Sequence, residues 1–412
     1  MSLRRDHCSP TGTWINAKVV LRFKRGEDCV PEVLESGCRS IHNSPMFRKS
    51  IKTMAAYRPG EQPRPGQRLI KLNTNENPYP PSPRVRRAVA KAMAGSTIRL
   101  YPAPRADEFV ASASRVYSIP QSMIIAGNGS DELLAMVFRA TLGSGDTVAY
   151  PIPTYSLYDT LALVQEARIL QFPVGADFEL PLDGLAQARA NLTIVCSPNS
   201  PSGTSTPTRS LGALAKRLEG RLLVIDEAYA DFADQNALGL MRRYRNVVVL
   251  RTLSKSYSLA GMRLGLCFAH PAVIDALLKV KDSYNLSRVA LAAGAEAIRD
   301  SGWMRRNVAK VIRTRALSEA RLRKLGFLVP PSQANFVLAR MPGRDLAPVT
   351  RGLRRAGILV RHFATPLLQD AIRISIGTPA EMAALFKALK PLVRASQSKS
   401  KSKSKSKRRI DT

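Results

Sequence analysis

From about residue 69 the chain alternates short apolar runs with stretches of helical periodicity, which predicts an α/β domain with a largely parallel sheet. Apolar runs at 123–126, 147–150, 168–172, 192–196, 222–225, 247–251 and 264–268 read as strands. Beyond residue 282 a long basic helical region leads to shorter runs at 336–339, 358–361 and 372–375, then to a helical stretch at 379–393. That change of texture predicts a second, smaller α+β domain, completed by the segment before Tyr101. The expected division is an N-terminal arm and part of the small domain at 54–100, a large domain at 101–284 and the small C-terminal domain at 285–395.

The two ends break the pattern. Residues 1–53 mix charges, three cysteines and turn formers without sustained periodicity, so they read as a poorly ordered extension. They lack a secretory pattern, and Asp6, Glu27, Asp28, Glu32 and Glu35 argue against a transit segment. A start at Met46 or Met54 fits equally well. At the other end, residues 396–412 alternate Ser and Lys with little to pack, which predicts a disordered tail.

Composition narrows the class. A chain of 412 residues that is 45% hydrophobic can bury a large core, and its uncharged apolar runs are strand-length, far short of a membrane span. Five cysteines (Cys8, Cys29, Cys38, Cys196 and Cys267) show no metal-ligand spacing, and reduced thiols in a cytoplasmic protein are the simplest reading. Lys and Arg number 63 against 31 Asp and Glu, a formal charge of +32. Part of that excess sits in the tail and the rest on what look like solvated helix faces, so weak nonspecific polyanion binding by the tail is the most that charge alone implies.

The candidate chemistry lies where the strands of the large domain end, which is where open α/β sheets bind ligands. The run 222–225 leads into Asp226-Glu227-Ala228-Tyr229, in which the acidic residue either caps the next segment or faces a ligand. The run 247–251 leads into Thr252-Leu253-Ser254-Lys255-Ser256, and Arg263 follows between Gly261 and Gly265. A lysine just after an apolar strand, flanked by hydroxyls and followed by an arginine among glycines, is a sharper signal than a surface lysine.

With the runs YRPGEQP at 57–63, LNTNENP at 72–78, YP at 101–102, AGNGSDE at 126–132, SPNSPSGT at 197–204 and RISIGT at 373–378, these motifs make the chain resemble the fold-type I aminotransferases. Within them it is similar to the histidinol-phosphate aminotransferase family over roughly 54–393. The order and spacing carry the resemblance, since each run alone is weak.

The resemblance implies pyridoxal 5'-phosphate (PLP) as cofactor and no metal. It implies Lys255 as the Schiff-base lysine and proton carrier, Asp226 as partner of the pyridinium nitrogen, and Tyr229 and Asn199 as donors to the ring's phenolic oxygen. The run containing Asn199 also reads as a plain turn. The cofactor phosphate is expected at Gly129, Ser130 and Asp131, where a helix N-terminus supplies N–H groups, with Ser254 and Arg263 beside it. A simply capped helix has the same local sequence. Tyr155 is expected to stack on the ring, a core tyrosine being the alternative. Tyr101 is implied to reach the partner subunit's phosphate site, and with it a homodimer. Tyr57 and Asn77 are implied to close over the substrate, and Arg361 and Arg373 to meet its anionic end, although Arg361 also reads as surface charge.

The implied reaction takes L-histidinol phosphate as the small-molecule amino donor and 2-oxoglutarate as acceptor, giving imidazole-acetol phosphate and L-glutamate. Aromatic amino-acid aminotransferases and threonine-phosphate decarboxylases share nearly all these motifs and remain alternatives. A catalytically idle, nucleic-acid-associated PLP protein is a further one, but no helix-turn-helix or zinc pattern is present to support it.

Overall fold

The computed structural model describes residues 46–56, 59–175 and 178–407, with side chains to residue 394. Two compact units divide the chain at Arg48, and the second, from Lys49 on, carries both sheets. Its strands in chain order are β1 (Ile70–Leu72), β2 (Ile124–Gly127), β3 (Thr147–Ile152), β4 (Arg168–Pro173), β5 (Leu192–Cys196), β6 (Leu222–Asp226), β7 (Val247–Thr252), β8 (Gly265–Phe268), β9 (Phe336–Arg340), β10 (Ile358–His362) and β11 (Ala371–Ser375).

Seven strands form the larger sheet in the order β2-β8-β7-β6-β5-β3-β4. All pairings are parallel except those of β8, which runs against both β7 and β2. The central strands β5 and β7 are buried along their whole length, as expected where helices cover both faces. Alternation sorts the side chains of β6 and β7. Leu223, Ile225, Val247 and Val249 join one core, while Val224, Val248 and Leu250 join the other. The helix Gly129–Thr141 lays Leu133, Leu134, Val137 and Phe138 into the second core. That packing fixes the helix's N-terminus beside the strand ends.

The smaller sheet has the order β1-β10-β11-β9. The three-residue β1 was not legible as a strand. It is long enough to pair in parallel with β10, Ile70 opposite Ile358 and Leu72 opposite Val360, and it brings the Asn73–Asn77 stretch to the site. The helix Ser301–Lys324 supports this sheet with buried Val308, Val311 and Leu322. The last helix runs Pro379–Lys407, its backbone helical well beyond Val393. Lysine favours helix, and positive charge near a helix C-terminus complements the dipole, so the repeat has no breaker to stop it. Among the described residues no helix is long and apolar enough to cross a membrane.

Because Phe138 is fully buried in the core that seats the Gly129–Thr141 helix, Phe138→Ala is expected to cost about 3–5 kcal/mol. Urea unfolding followed by circular dichroism checks this, with a lower midpoint expected.

Candidate active site

Three consecutive parallel strands deliver the central groups at their C-terminal ends. Asp226 is the last residue of β6, Cys196 ends β5, and Lys255 follows β7 by three residues. Gly129, Ser130, Asp131, Tyr155 and Arg263 approach from the neighbouring turns, and Arg361 and Arg373 from the small sheet. A cavity of about 760 Å³ receives most of these side chains, including Ser130, Asp131, Tyr155, Asp226, Tyr229, Ser254, Lys255, Arg263, Arg361 and Arg373.

The Lys255 amine is buried, donates to the Thr74 carbonyl oxygen at 3.3 Å, and lies 5.9 Å from the centre of the Tyr229 ring. Burial above all, then the nearby Arg373 cation, lowers its pKa to about 8. A lysine so depressed is a nucleophile near neutral pH. Its turn is held from below by a buried ion-pair cluster. Arg251 pairs with Glu227 at 2.8 Å and with Asp231 at 2.9 Å, and Ser256 Oγ donates to Asp231 at 2.5 Å.

Asp226 is buried and its carboxylate accepts from Tyr158 Oη at 2.8 Å and from the Ala228 N–H at 3.1 Å. Burial raises its pKa to about 6, against the pull of the two donors. A buried carboxylate with further acceptor capacity facing a cavity suits a protonated ring nitrogen. Tyr229 is likewise pushed up to about 12 by burial, so it keeps its proton, and its hydroxyl accepts from Asn75 Nδ2 at 3.0 Å.

At the helix N-terminus, Arg263 donates to Asp131 at 3.0 Å and to Ser254 Oγ at 3.3 Å, while Tyr155 Oη donates to Asp131 at 3.3 Å. Gly129 has φ +80°, and a Cβ there would meet the Arg263 guanidinium at 2.5 Å. A Cβ on Gly265 would lie 2.6 Å from the Gly129 carbonyl carbon. Glycine at both places lets strand, arginine and helix start converge on a patch of N–H donors and positive charge, which fits a phosphate.

Arg361 and Arg373 sit directly opposite each other on β10 and β11. Arg373 donates to Ser200 Oγ and to the Asn73 carbonyl, each at 2.9 Å, and lies over the rings of Phe336 and Phe363. Arg361 reaches the Pro59 carbonyl at 3.5 Å and lies over Phe363. The pair gives the cavity rim an anion-binding side.

Three of the expected residues stand outside the cavity lining. Asn77 does not line the cavity. Its amide donates to the carbonyls of Lys255 and Ser256 at 3.1 Å each, which staples the lysine's turn. Asn199 also stands outside the lining, its amide donating to the Pro153 carbonyl and to Ser202 Oγ at 3.0 Å each. Tyr101 is 78% exposed, stacks on Tyr284 at 4.4 Å and does not line the cavity of its own subunit. Tyr57 lies outside the described residues. Conversely, Thr74, Asn75 and Tyr158 were not singled out. Tyr158 carried a usable signal, since it follows Tyr155 by about one helical turn.

A buried amine, a buried carboxylate, a phenol and a phosphate-like cradle around one cavity fit a phosphorylated aromatic aldehyde. The comparisons agree. The profile described as aminotransferase class I and II matches residues 67–389, and the chain belongs to that family. The family is PLP-dependent. Within it the chain is 45% identical to histidinol-phosphate aminotransferase 1 of Trichormus variabilis, over 84% of this chain and 99% of that one. It is 47% identical to the histidinol-phosphate aminotransferase of Citrifermentans bemidjiense, over 84% and 98%. The crystal structure of the Sinorhizobium meliloti histidinol-phosphate aminotransferase, a complex with PLP, superposes with TM-score 0.78 at 26% identity, covering 85% of this chain and 98% of that one.

Titration offers a check on the lysine's environment. In the cofactor-free protein, modification of Lys255 by an amine-selective reagent, followed by peptide mass spectrometry, is expected to show a midpoint near pH 8, well below an ordinary lysine. Arg373→Ala removes a neighbouring cation and should move that midpoint upward.

Proposed function

We propose that the chain transfers the amino group of L-histidinol phosphate to 2-oxoglutarate, giving imidazole-acetol phosphate and L-glutamate, a step of histidine biosynthesis. The observation that carries the reading is the pair Arg361 and Arg373, side by side at the rim of the cavity that buries the Lys255 amine. Both proposed substrates are amines or keto acids with an anionic end, and two adjacent guanidiniums suit a phosphate and a carboxylate in turn. The names of the relatives at 45% and 47% identity support the same substrate.

PLP supplies an electron-accepting ring and an aldehyde that carries the amino group between substrates. Lys255 Nζ holds that aldehyde at rest. With a pKa of about 8, roughly a tenth of the free amine is neutral at pH 7, enough to attack and to be regenerated. With PLP bound, Lys255 Nζ would be the group placed to take up and return the proton of the substrate's α-carbon. Asp226 keeps the ring nitrogen protonated, held in place by Tyr158 and the Ala228 N–H. Tyr229 and Asn199 would donate to the ring's phenolic oxygen. Ser130 and Asp131 N–H groups, Ser254 Oγ and Arg263 hold the phosphate beside Gly129, and Tyr155 covers the ring face.

The same reading makes 101–284 the PLP-binding part and 285–395, with 54–100, the part that carries the substrate's anion site. It makes the protein a cytoplasmic homodimer in which Tyr101 serves the partner's phosphate site. Exposed Met93, Ile98, Leu100 and Tyr101 support a covered surface there.

Offered histidinol phosphate, phenylalanine, glutamate and threonine phosphate in turn, the PLP-loaded protein should lose its visible absorption fastest with histidinol phosphate. Faster loss with phenylalanine would move the enzyme to aromatic amino-acid metabolism. Arg373→Ala should raise KM for glutamate by roughly ten- to a hundredfold, the value of a charged hydrogen-bond pair.

A further inference from the structure

The loop after β1 holds a residue that the motif roles above leave without a task. Asn75 is 1% exposed and has φ +57°, a left-handed backbone that asparagine tolerates better than most residues. Its backbone is gripped on both sides. The Asn75 N–H donates to Ser375 Oγ at 2.9 Å, and its carbonyl accepts from Asn335 Nδ2 at 2.9 Å. Its side chain bridges two elements, because Oδ1 accepts from Ser375 Oγ at 2.9 Å while Nδ2 donates to Tyr229 Oη at 3.0 Å.

Donor and acceptor arithmetic settles the direction of this chain. Ser375 Oγ already accepts the Asn75 N–H, and its single proton goes to Oδ1. Turning the amide over would place two donors on Ser375 Oγ, strand its buried hydroxyl proton and draw the Tyr229 proton onto Oδ1, away from the cavity. With Nδ2 facing Tyr229, a lone pair of the phenol oxygen is engaged on the loop side, and the phenol's own proton is left to point elsewhere. Tyr229 lines the cavity and stays protonated, its pKa pushed up to about 12 by burial.

We infer that Asn75, oriented by Ser375, is a positioning residue that makes Tyr229 a hydrogen-bond donor toward the cavity. The assignment rests on the proposed contact of Tyr229 with the cofactor's phenolic oxygen. It ties two jobs to one strand: Arg373, two residues before Ser375 on β11, donates to the carbonyl of Asn73, two residues before Asn75. The anion-binding arm and the aim of the Tyr229 proton therefore share the same strand and loop.

The test is a pH titration of the visible absorption band of the PLP-loaded protein without substrate, in wild type, Tyr229→Phe, Asn75→Gly, Ser375→Ala and the doubles with Tyr229→Phe. Glycine accepts the positive φ, and Ser375→Ala leaves Asn75 in place while removing what orients its amide, so the second variant decides if the first fails to fold. A donor on the phenolic oxygen stabilises the more negative form, so weakening it raises the band's pKa. Tyr229→Phe should raise it, Asn75→Gly and Ser375→Ala should each raise it by roughly half a unit to one unit, and neither should add to Tyr229→Phe. If Asn75→Gly and Ser375→Ala titrate with wild type while Tyr229→Phe shifts, the inference is overturned and the Tyr229 contact stands. Equal shifts with and without Tyr229 also overturn it, since Asn75 would then act by another route. No shift in Tyr229→Phe removes the contact itself and the inference with it.

Discussion

The structure depends on keeping one amine out of water without giving it a carboxylate to rest on. Lys255 is half-buried beside the Arg373 cation and donates to a backbone carbonyl, and the result is a pKa of about 8. A lysine of this kind costs stability, because desolvation disfavours its charged form. The surroundings supply the compensation. Buried Arg251 is neutralised by Glu227 and Asp231, and the Asn77 amide ties down the carbonyls of Lys255 and Ser256. The lysine is thus reactive through burial and the Arg373 cation, while the turn that carries it is hydrogen-bonded and the charges beneath it are paired.

That layer also joins the two sheets. The short strand β1 pairs with β10 in the small sheet, yet the residues that follow it touch Lys255, Tyr229 and Arg373. The anion-binding pair on β10 and β11 therefore cannot shift without disturbing the carbonyl that holds the amine. Asp226 shows the same economy from the other side, since its acceptors face the cavity while Tyr158 and the Ala228 N–H fix its plane.

Much of this was legible in the sequence because strand ends in parallel sheets carry ligand chemistry, and apolar runs mark those ends. The runs at 192–196, 222–225 and 247–251 placed Asp226 at the end of β6 and Lys255 three residues past the end of β7. Contacts made across long sequence distance were not legible. Asn75 meets Ser375 and Tyr229 only after β1 docks on β10, and three residues are too few to show a period. The Asn77 contact was hidden in the same way, since nothing local says that its amide will find the carbonyls of a turn near residue 255.

The central claim is that Lys255 is the residue that carries the cofactor. Borohydride reduction of the PLP-loaded protein, followed by proteolysis and mass spectrometry, reads it directly. The account predicts a single phosphopyridoxyl group on Lys255 and none in Lys255→Ala. A label spread over other lysines, or retained at the same yield in Lys255→Ala, would contradict it.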